Sequence, residues 1–341
     1  MKRFLIVKPS SLGDIIHAFP AVSMLAAKYP DAQIDWLAVP AFAPVVKYHP
    51  AVDHVILFHR KEMGRVSKFP GAFLSLFSDI RKNRYDAVID LQGLLRSALI
   101  ARMAKAKTVA GPAETREALS KVFYKYKMDS GDSCRHAVCK NMSMMAEFLN
   151  EPLPERVVFE MPENAAAAKK ATALLCSFAK EKLIALAPGA RWESKQWPPE
   201  FFAECVNLFA QKHPDWYFVI LGSPNEKQQG EILKRMLKTP ALNLIGLTGI
   251  PELVECIRKS RLLLCNDSGP MHIAAGVGTP VTAMFGPTDP VLTGPFSDQA
   301  EVLTPSLDCC RCFKRTCDSC RCHKEISPAK VVESMEKLLR F

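Results

Sequence analysis

"LLLCNDSGPMHIAAGVGTPVTAMFGPTDP", residues 262–290, is the stretch that decides the fold. Four apolar residues, 262–265, read as a buried strand that delivers the small polar string Asn266-Asp267-Ser268-Gly269. Pro270 then opens a helix over 270–277, since proline fits the first helical position and lacks a donor that would go unbonded there. A second strand, 281–285, runs into Gly286-Pro287-Thr288-Asp289. The N–H groups of Ser268, Gly269, Met271 and His272 would crowd the positive end of the helix dipole. That makes the turn a site for an anion such as a diphosphate. Asp267 and Ser268 are equally well placed to cap the helix.

The same alternation extends upstream. Strands read at 183–187, 216–221 and 244–245, and helices at 200–212, 226–237 and 250–259. Strand–helix alternation means a parallel sheet with helices on both faces. "LAPGARWESKQWPPE", 186–200, carries Arg191, Ser194 and Lys195 on a loop between strand and helix. "LGSPNE", 221–226, ends in Glu226, a carboxylate suited to ribose hydroxyls. The strand ends at 188–195, 222–226 and 266–272 would lie side by side on one edge of the sheet, where the ligands of such sheets bind.

The first half repeats the pattern, with strands at 4–7, 34–38, 54–57 and 87–90 and helices at 20–29, 72–83 and 93–104. Its opening loop, "KPSSLGDIIHAFPA" at 8–21, has one glycine, Gly13, followed by Asp14. A carboxylate there would repel a phosphate, so the nucleotide belongs to the second half and this loop has another task. Capping a helix over 15–27 is the structural alternative for Asp14.

At 341 residues the chain is too long for one ordinary core. The Pro- and acid-rich segment "LNEPLPERVVFEMPEN", 149–164, marks the boundary, giving domains 1–155 and 156–341, with "RVVFE" as an edge strand. Residues 328–339 form an amphipathic helix expected to pack back toward the first domain. No apolar run is long enough to span a membrane, and the one at the N-terminus is too short for a signal peptide. A soluble cytoplasmic protein is expected. Residues 1–150 hold 22 Lys and Arg against 13 Asp and Glu, whereas 151–341 hold 23 against 22. Nearly all of the net charge of +10 therefore lies in the first half. It is either a solvated surface or a seat for an anionic partner: nucleic acid, a membrane surface or a phosphorylated substrate.

Of twelve cysteines, six are scattered (134, 139, 176, 205, 256, 265) and read as core thiols. The other six fall within 309–322. Cys317-x-x-Cys320 has metal-ligand spacing, and Cys310 and Cys312 could complete a zinc or iron–sulfur site. Unliganded or disulfide-forming thiols are the alternative.

"KPSSLGDIIHAFPA", "YDAVIDLQGLLRSA", "PGARWESKQWPPE", "NDSGPMHIAAG" and "FGPTDP", in this order, resemble the bacterial ADP-heptose:lipopolysaccharide heptosyltransferases, glycosyltransferase family 9. The resemblance covers essentially the whole chain. It implies an α/β protein of GT-B fold, two Rossmann-like parallel-sheet domains facing across a cleft. The first would bind the acceptor and the second the nucleotide sugar. It implies inverting transfer of heptose from ADP-L-glycero-D-manno-heptose to the Kdo or heptose inner core of lipopolysaccharide, at the inner face of the cytoplasmic membrane.

By motif, Asp14 becomes the catalytic base. Arg191, Ser194, Lys195, Glu226, Asp267, Ser268, Gly269, Met271, His272 and Thr288 fall to the donor, with Lys195 on phosphate and Glu226 on ribose. Ser10, Ser11, Gly13, Arg60, Lys61, Arg65, Gln92, Arg96 and Arg116 fall to the acceptor. Residues 59–68 and Arg116 would draw the protein to the membrane. No cofactor is implied, and the absence of an Asp-x-Asp motif fits a metal-free mechanism. Alternatives are a glycosyltransferase of the same fold with another nucleotide sugar, a nucleotide-sugar epimerase, and a non-catalytic sensor. Nucleic acid is disfavoured as a partner: aromatics make up only 9% of the chain, without a basic–aromatic stripe.

Overall fold

Leu5, Ile6 and Val7 are wholly buried, as are Leu262, Leu263 and Leu264, because each run lies at the centre of a parallel sheet. The structure, a computed structural model, describes residues 1–131, 134–178 and 182–340. The chain divides into two units, Met1–Pro162 and Glu163–Phe341. In the first, strands β1 (Arg3–Val7), β2 (Gln33–Ala38), β3 (His54–Leu57), β4 (Tyr85–Asp90), β5 (Ala106–Pro112) and β6 (Tyr126–Met128) pair in the order β3-β2-β1-β4-β5-β6. In the second, β7 (Leu183–Ala187), β8 (Tyr217–Ile220), β9 (Ala241–Asn243), β10 (Leu262–Asn266), β11 (Val281–Met284) and β12 (Ala300–Leu303) pair in the order β12-β11-β10-β7-β8-β9. All pairs are parallel.

Counted from its own first strand, each sheet runs 3-2-1-4-5-6, the dinucleotide-binding order. In each, the direction of winding reverses between the first and fourth strands, and the loops leaving that point open a crevice. Register places Val7 beside Asp90 in the first unit and Cys265 beside Ala187 in the second. The loops that begin at Lys8 and Leu91, and at Pro188 and Asn266, therefore start as neighbours.

The second core packs Trp197, Phe202, Phe209 and Phe218 against Val331, Val332 and Met335. The helix Pro328–Leu339 thus buries its apolar face within the second unit, on the helix Pro199–Lys212 and on β10 to β12. Three strands escape the sequence reading: β5, β6 and β12. Residues 106–112 carry a lysine, a glycine and a proline, and the other two are only three and four residues long. The strand expected at 244–245 lies at Ala241–Asn243. "RVVFE" is irregular chain, not an edge strand. Of the six scattered cysteines, Cys205, Cys256 and Cys265 are core thiols, but Cys176 is exposed and Cys134 is bonded to Cys139. No helix among the described residues is long and apolar enough to cross a membrane.

Candidate active site

At the reversal point of the first unit, Asp14 is the third residue of the short helix Leu12–Ile16. Its Oδ2 accepts from the N–H and the hydroxyl of Ser11, at 2.6 and 2.8 Å. This closes a capping box, so the carboxylate is fixed in direction by the helix it starts. Half-buried, it lines a cavity of about 410 Å³ with Lys8, His17, Arg116, Lys140 and Asn141. A second cavity, of about 500 Å³, collects Ser10, Arg60, Gln92 and Arg96 against the apolar Phe58, Leu94, Leu95 and Leu99. Gln92 Oε1 is buried without a partner among the described residues, an acceptor available to a ligand hydroxyl. Lys61 and Arg65 are exposed and line neither cavity. Gly13 is buried beneath the turn.

Two ionisable groups under this floor were missed by the sequence reading. Lys8, the residue after β1, is buried, and its Nζ donates to the Leu91 carbonyl at 2.5 Å. Burial pushes its ammonium below the ordinary lysine range, opposed by the charges of Asp14 and Asp90. Asp90, the last residue of β4, is fully buried. It accepts from Gln92 and Gly93 N–H, Ser97 Oγ and Tyr124 OH, at 2.8, 3.2, 2.8 and 2.7 Å. Burial raises its carboxyl and these four donors oppose the rise. The result is a rigid 91–97 turn that presents Gln92 and Arg96. The available signal was a charged residue closing each apolar strand.

In the second unit Asn266 ties the reversal point together: its Nδ2 donates to the Pro188 carbonyl at 2.6 Å, and its Oδ1 accepts from Trp197 N–H at 3.0 Å. Beside it, Lys195 Nζ lies 2.6 Å from Asp267 Oδ2, and Thr288 Oγ1 donates to the same oxygen at 2.6 Å. Asp267 therefore holds Lys195 rather than capping the helix Gly269–Val277. Ser268 is that helix's N-cap residue without a side-chain cap bond. The Lys195 ammonium also stands 4.6 Å from the Trp192 ring centre, with Arg315 on the same ring. Such contacts leave the lysine oriented but partly open, at 17% exposure.

Glu226 Oε2 accepts from Ser223 N–H and Oγ at 2.5 and 2.8 Å. The carboxylate lies so close over Gly189 that a Cβ there would overlap it. Arg191 is exposed and His272 buried. Met271 is wholly buried and its N–H donates to the Ser268 carbonyl at 3.2 Å, so neither its side chain nor that N–H is open to a ligand. Ser194 is turned to the C-terminal loop, its hydroxyl donating to the Lys314 carbonyl at 2.7 Å. Of the metal candidates, Cys312 and Cys317 are exposed and Cys310 and Cys320 half-buried. No group of three or more His, Cys, Asp or Glu side chains among the described residues is arranged to hold a metal ion.

Known proteins share this architecture. Residues 73–323 match the family described as glycosyltransferase family 9 (heptosyltransferase). Lipopolysaccharide heptosyltransferase 1 of Pseudomonas aeruginosa is 31% identical over 328 residues, 92% of this chain and 87% of that protein. The Escherichia coli heptosyltransferase WaaC with ADP superposes with a TM-score of 0.83 at 23% identity, covering 98% of this chain and 99% of that one. A family 9 glycosyltransferase from Veillonella parvula gives 0.84 at 23% identity, covering 99% and 97%. These two likenesses establish the GT-B fold. With the strand order, the family match and the extent of the identity in hand, the chain belongs to glycosyltransferase family 9, the heptosyltransferases.

Proposed function

We propose that this glycosyltransferase moves heptose from ADP-L-glycero-D-manno-heptose to the Kdo or heptose inner core of lipopolysaccharide, with inversion. The observation that carries the reading is the 31% identity over 92% of the chain to an enzyme named for that transfer. The geometry of each unit supports it. Asp14 lines a cavity furnished with Lys8, Arg116 and Lys140, groups that suit a carboxylated, phosphorylated sugar acceptor. Asp14 takes the proton of the acceptor hydroxyl as its oxygen attacks the anomeric carbon. The bond from that carbon to the diphosphate breaks, and its electron pair leaves with ADP. Lys195 and the N-terminus of the helix Gly269–Val277 stabilise the growing negative charge, and Glu226 holds the ribose.

The acceptor is a glycolipid, so the protein works in the cytoplasm, peripheral to the inner face of the cytoplasmic membrane. Exposed Val66, Leu119 and Val122 among Arg60, Lys61, Arg65 and Arg116 favour such a surface. The test is ADP release from ADP-heptose with a Kdo acceptor. Asp14→Asn is expected to lower kcat by ~10²–10⁴, the worth of a general base, with ADP binding retained. An unchanged kcat, or release that ignores the acceptor, would overturn the reading.

A further inference from the structure

Cys134 and Cys139 are bonded to each other, five positions apart, with their Cα atoms 5.8 Å from one another. Both are half-buried, and Arg135 between them is exposed, so a small thiol can reach the bond. The ring it closes is short and removes less entropy from the unfolded chain than a long one would, so global stability is not its main effect. What the bond brackets is the start of the helix Ala137–Leu149. His136, between the two cysteines, is the N-cap residue of that helix, and its Nδ1 accepts from Val138 N–H at 3.2 Å.

From this cap a line of contacts runs toward Asp14. The His136 ring packs edge-on against the His17 ring, with centres 5.2 Å apart. Further along the same helix, Asn141 Nδ2 donates to the His17 carbonyl at 3.0 Å. His17 ends the helix Leu12–Ile16, on which Asp14 sits, and its N–H donates to the Gly13 carbonyl at 2.8 Å. The start of the longer helix also gives Ala137, Lys140 and Asn141 to the cavity that Asp14 lines, and Ser130 joins them from the chain before the bond. Neither cysteine lines the cavity, so the bond acts on this wall from behind.

We propose that Cys134 and Cys139 are a reversible dithiol–disulfide pair that sets one wall of the Asp14 cavity. In the oxidised form the cap at His136 is held, and Lys140 and Asn141 keep their places. Reduction draws two electrons from low-molecular-weight thiols such as glutathione. One thiol attacks a cysteine sulfur and breaks the S–S bond, and a second displaces the resulting mixed disulfide. Both cysteines are left as thiols carrying the two protons of the attackers, and glutathione disulfide departs. The helix then frays from His136, as a first turn does when its cap is loosened, and Lys140 and Asn141 lose their fixed direction. In the proposed cytoplasmic setting such a bond is a switch rather than a staple, because disulfides there are transient and redox-sensing.

The test equilibrates the full chain in glutathione buffers from oxidising to reducing, alkylates free thiols and digests with trypsin, which cuts after Arg135. The peptide ending at Arg135 and the one beginning at His136 should be joined in oxidising buffer. In reducing buffer they should separate, with both cysteines alkylated, and they should rejoin on reoxidation. Hydrogen exchange at residues 137–141 should be several-fold faster in the reduced form. Cysteines alkylated in every buffer, a joined pair that no buffer separates, or exchange that ignores the buffer overturns the switch. These readouts need no variant and do not involve heptose transfer, so they stand or fall apart from that reading. A kinetic arm rests on the acceptor reading of the cavity. Reduction should raise KM for the Kdo acceptor several-fold and leave ADP binding unchanged, and Cys134→Ser/Cys139→Ser should keep the raised KM in every buffer. A wild-type KM that ignores the buffer refutes the coupling to the site, and a double variant whose KM still follows the buffer places the sensitivity at another cysteine and overturns the assignment.

Discussion

Lys195 and Asp267 are the pair whose removal tells most. The two charges lie 2.6 Å apart, and Thr288 donates to the same aspartate oxygen. Lys195→Met strands a carboxylate that is 5% exposed and should cost about 3 kcal/mol in urea unfolding, as broken buried pairs do. Asp267→Asn added to it should recover most of that stability. ADP affinity should stay low in both variants, since the proposed phosphate ligand is gone in each. A double variant no more stable than the single would mean that the two side chains are not coupled. Gly189 allows a second measurement. Alanine there pushes Glu226 aside. A titration of ADP should then show a loss of roughly tenfold, near the worth of one hydrogen bond to a charged group. Asp14, Lys195, Glu226 and Asp267 could be singled out because each is a charged residue in a family motif that follows a strand. Met271 was misread because motif spacing fixes where a backbone runs, not which way a side chain turns. The contact between Asp90 and Tyr124 was not legible, since it spans 34 residues of chain.

Most elements were readable from periodicity, because a strand buried on both faces is a continuous apolar run. The failures share a cause: β5, β6 and β12 are edge or near-edge strands, where burial no longer dictates composition. Junctions between elements carry their own chemistry. His49 follows the short helix Ala43–Val46 and packs on the helix Phe19–Lys28. Its Nε2–H donates to the Phe19 carbonyl at 3.2 Å, and its Nδ1 accepts from Ala51 N–H at 3.3 Å. A proton on Nδ1 would confront that N–H, and burial holds the imidazole below its ordinary 6.5. The unfolded chain takes up this proton first as pH falls through 6.5. Stability should therefore drop from there down to the lowered folded value, by no more than about 1.4 kcal/mol per pH unit for one proton. Chemical denaturation at pH 7 and pH 5 should show this slope reduced in His49→Asn. An identical slope would assign the acid sensitivity elsewhere.

Across the whole molecule the charge asymmetry was plain from counting, and it bears on where the enzyme works. Binding to anionic liposomes that carry the acceptor should fall steeply between low and physiological salt, because exposed charges more than about 8 Å apart are screened there. Salt-indifferent binding would count against the basic first unit as the membrane-seeking part. The matching strand order of the two units could not be read from sequence similarity between the halves, because the same topology tolerates unrelated residues wherever the apolar rhythm is kept. That shared order has a consequence for descent and for engineering. A chain that builds one crevice architecture twice lets each copy drift under its own selection. On the proposed division, with the saccharide target on the first unit and the sugar donor on the second, the two specificities would be separately heritable traits, and chimaeras spliced between residues 162 and 163 would recombine them.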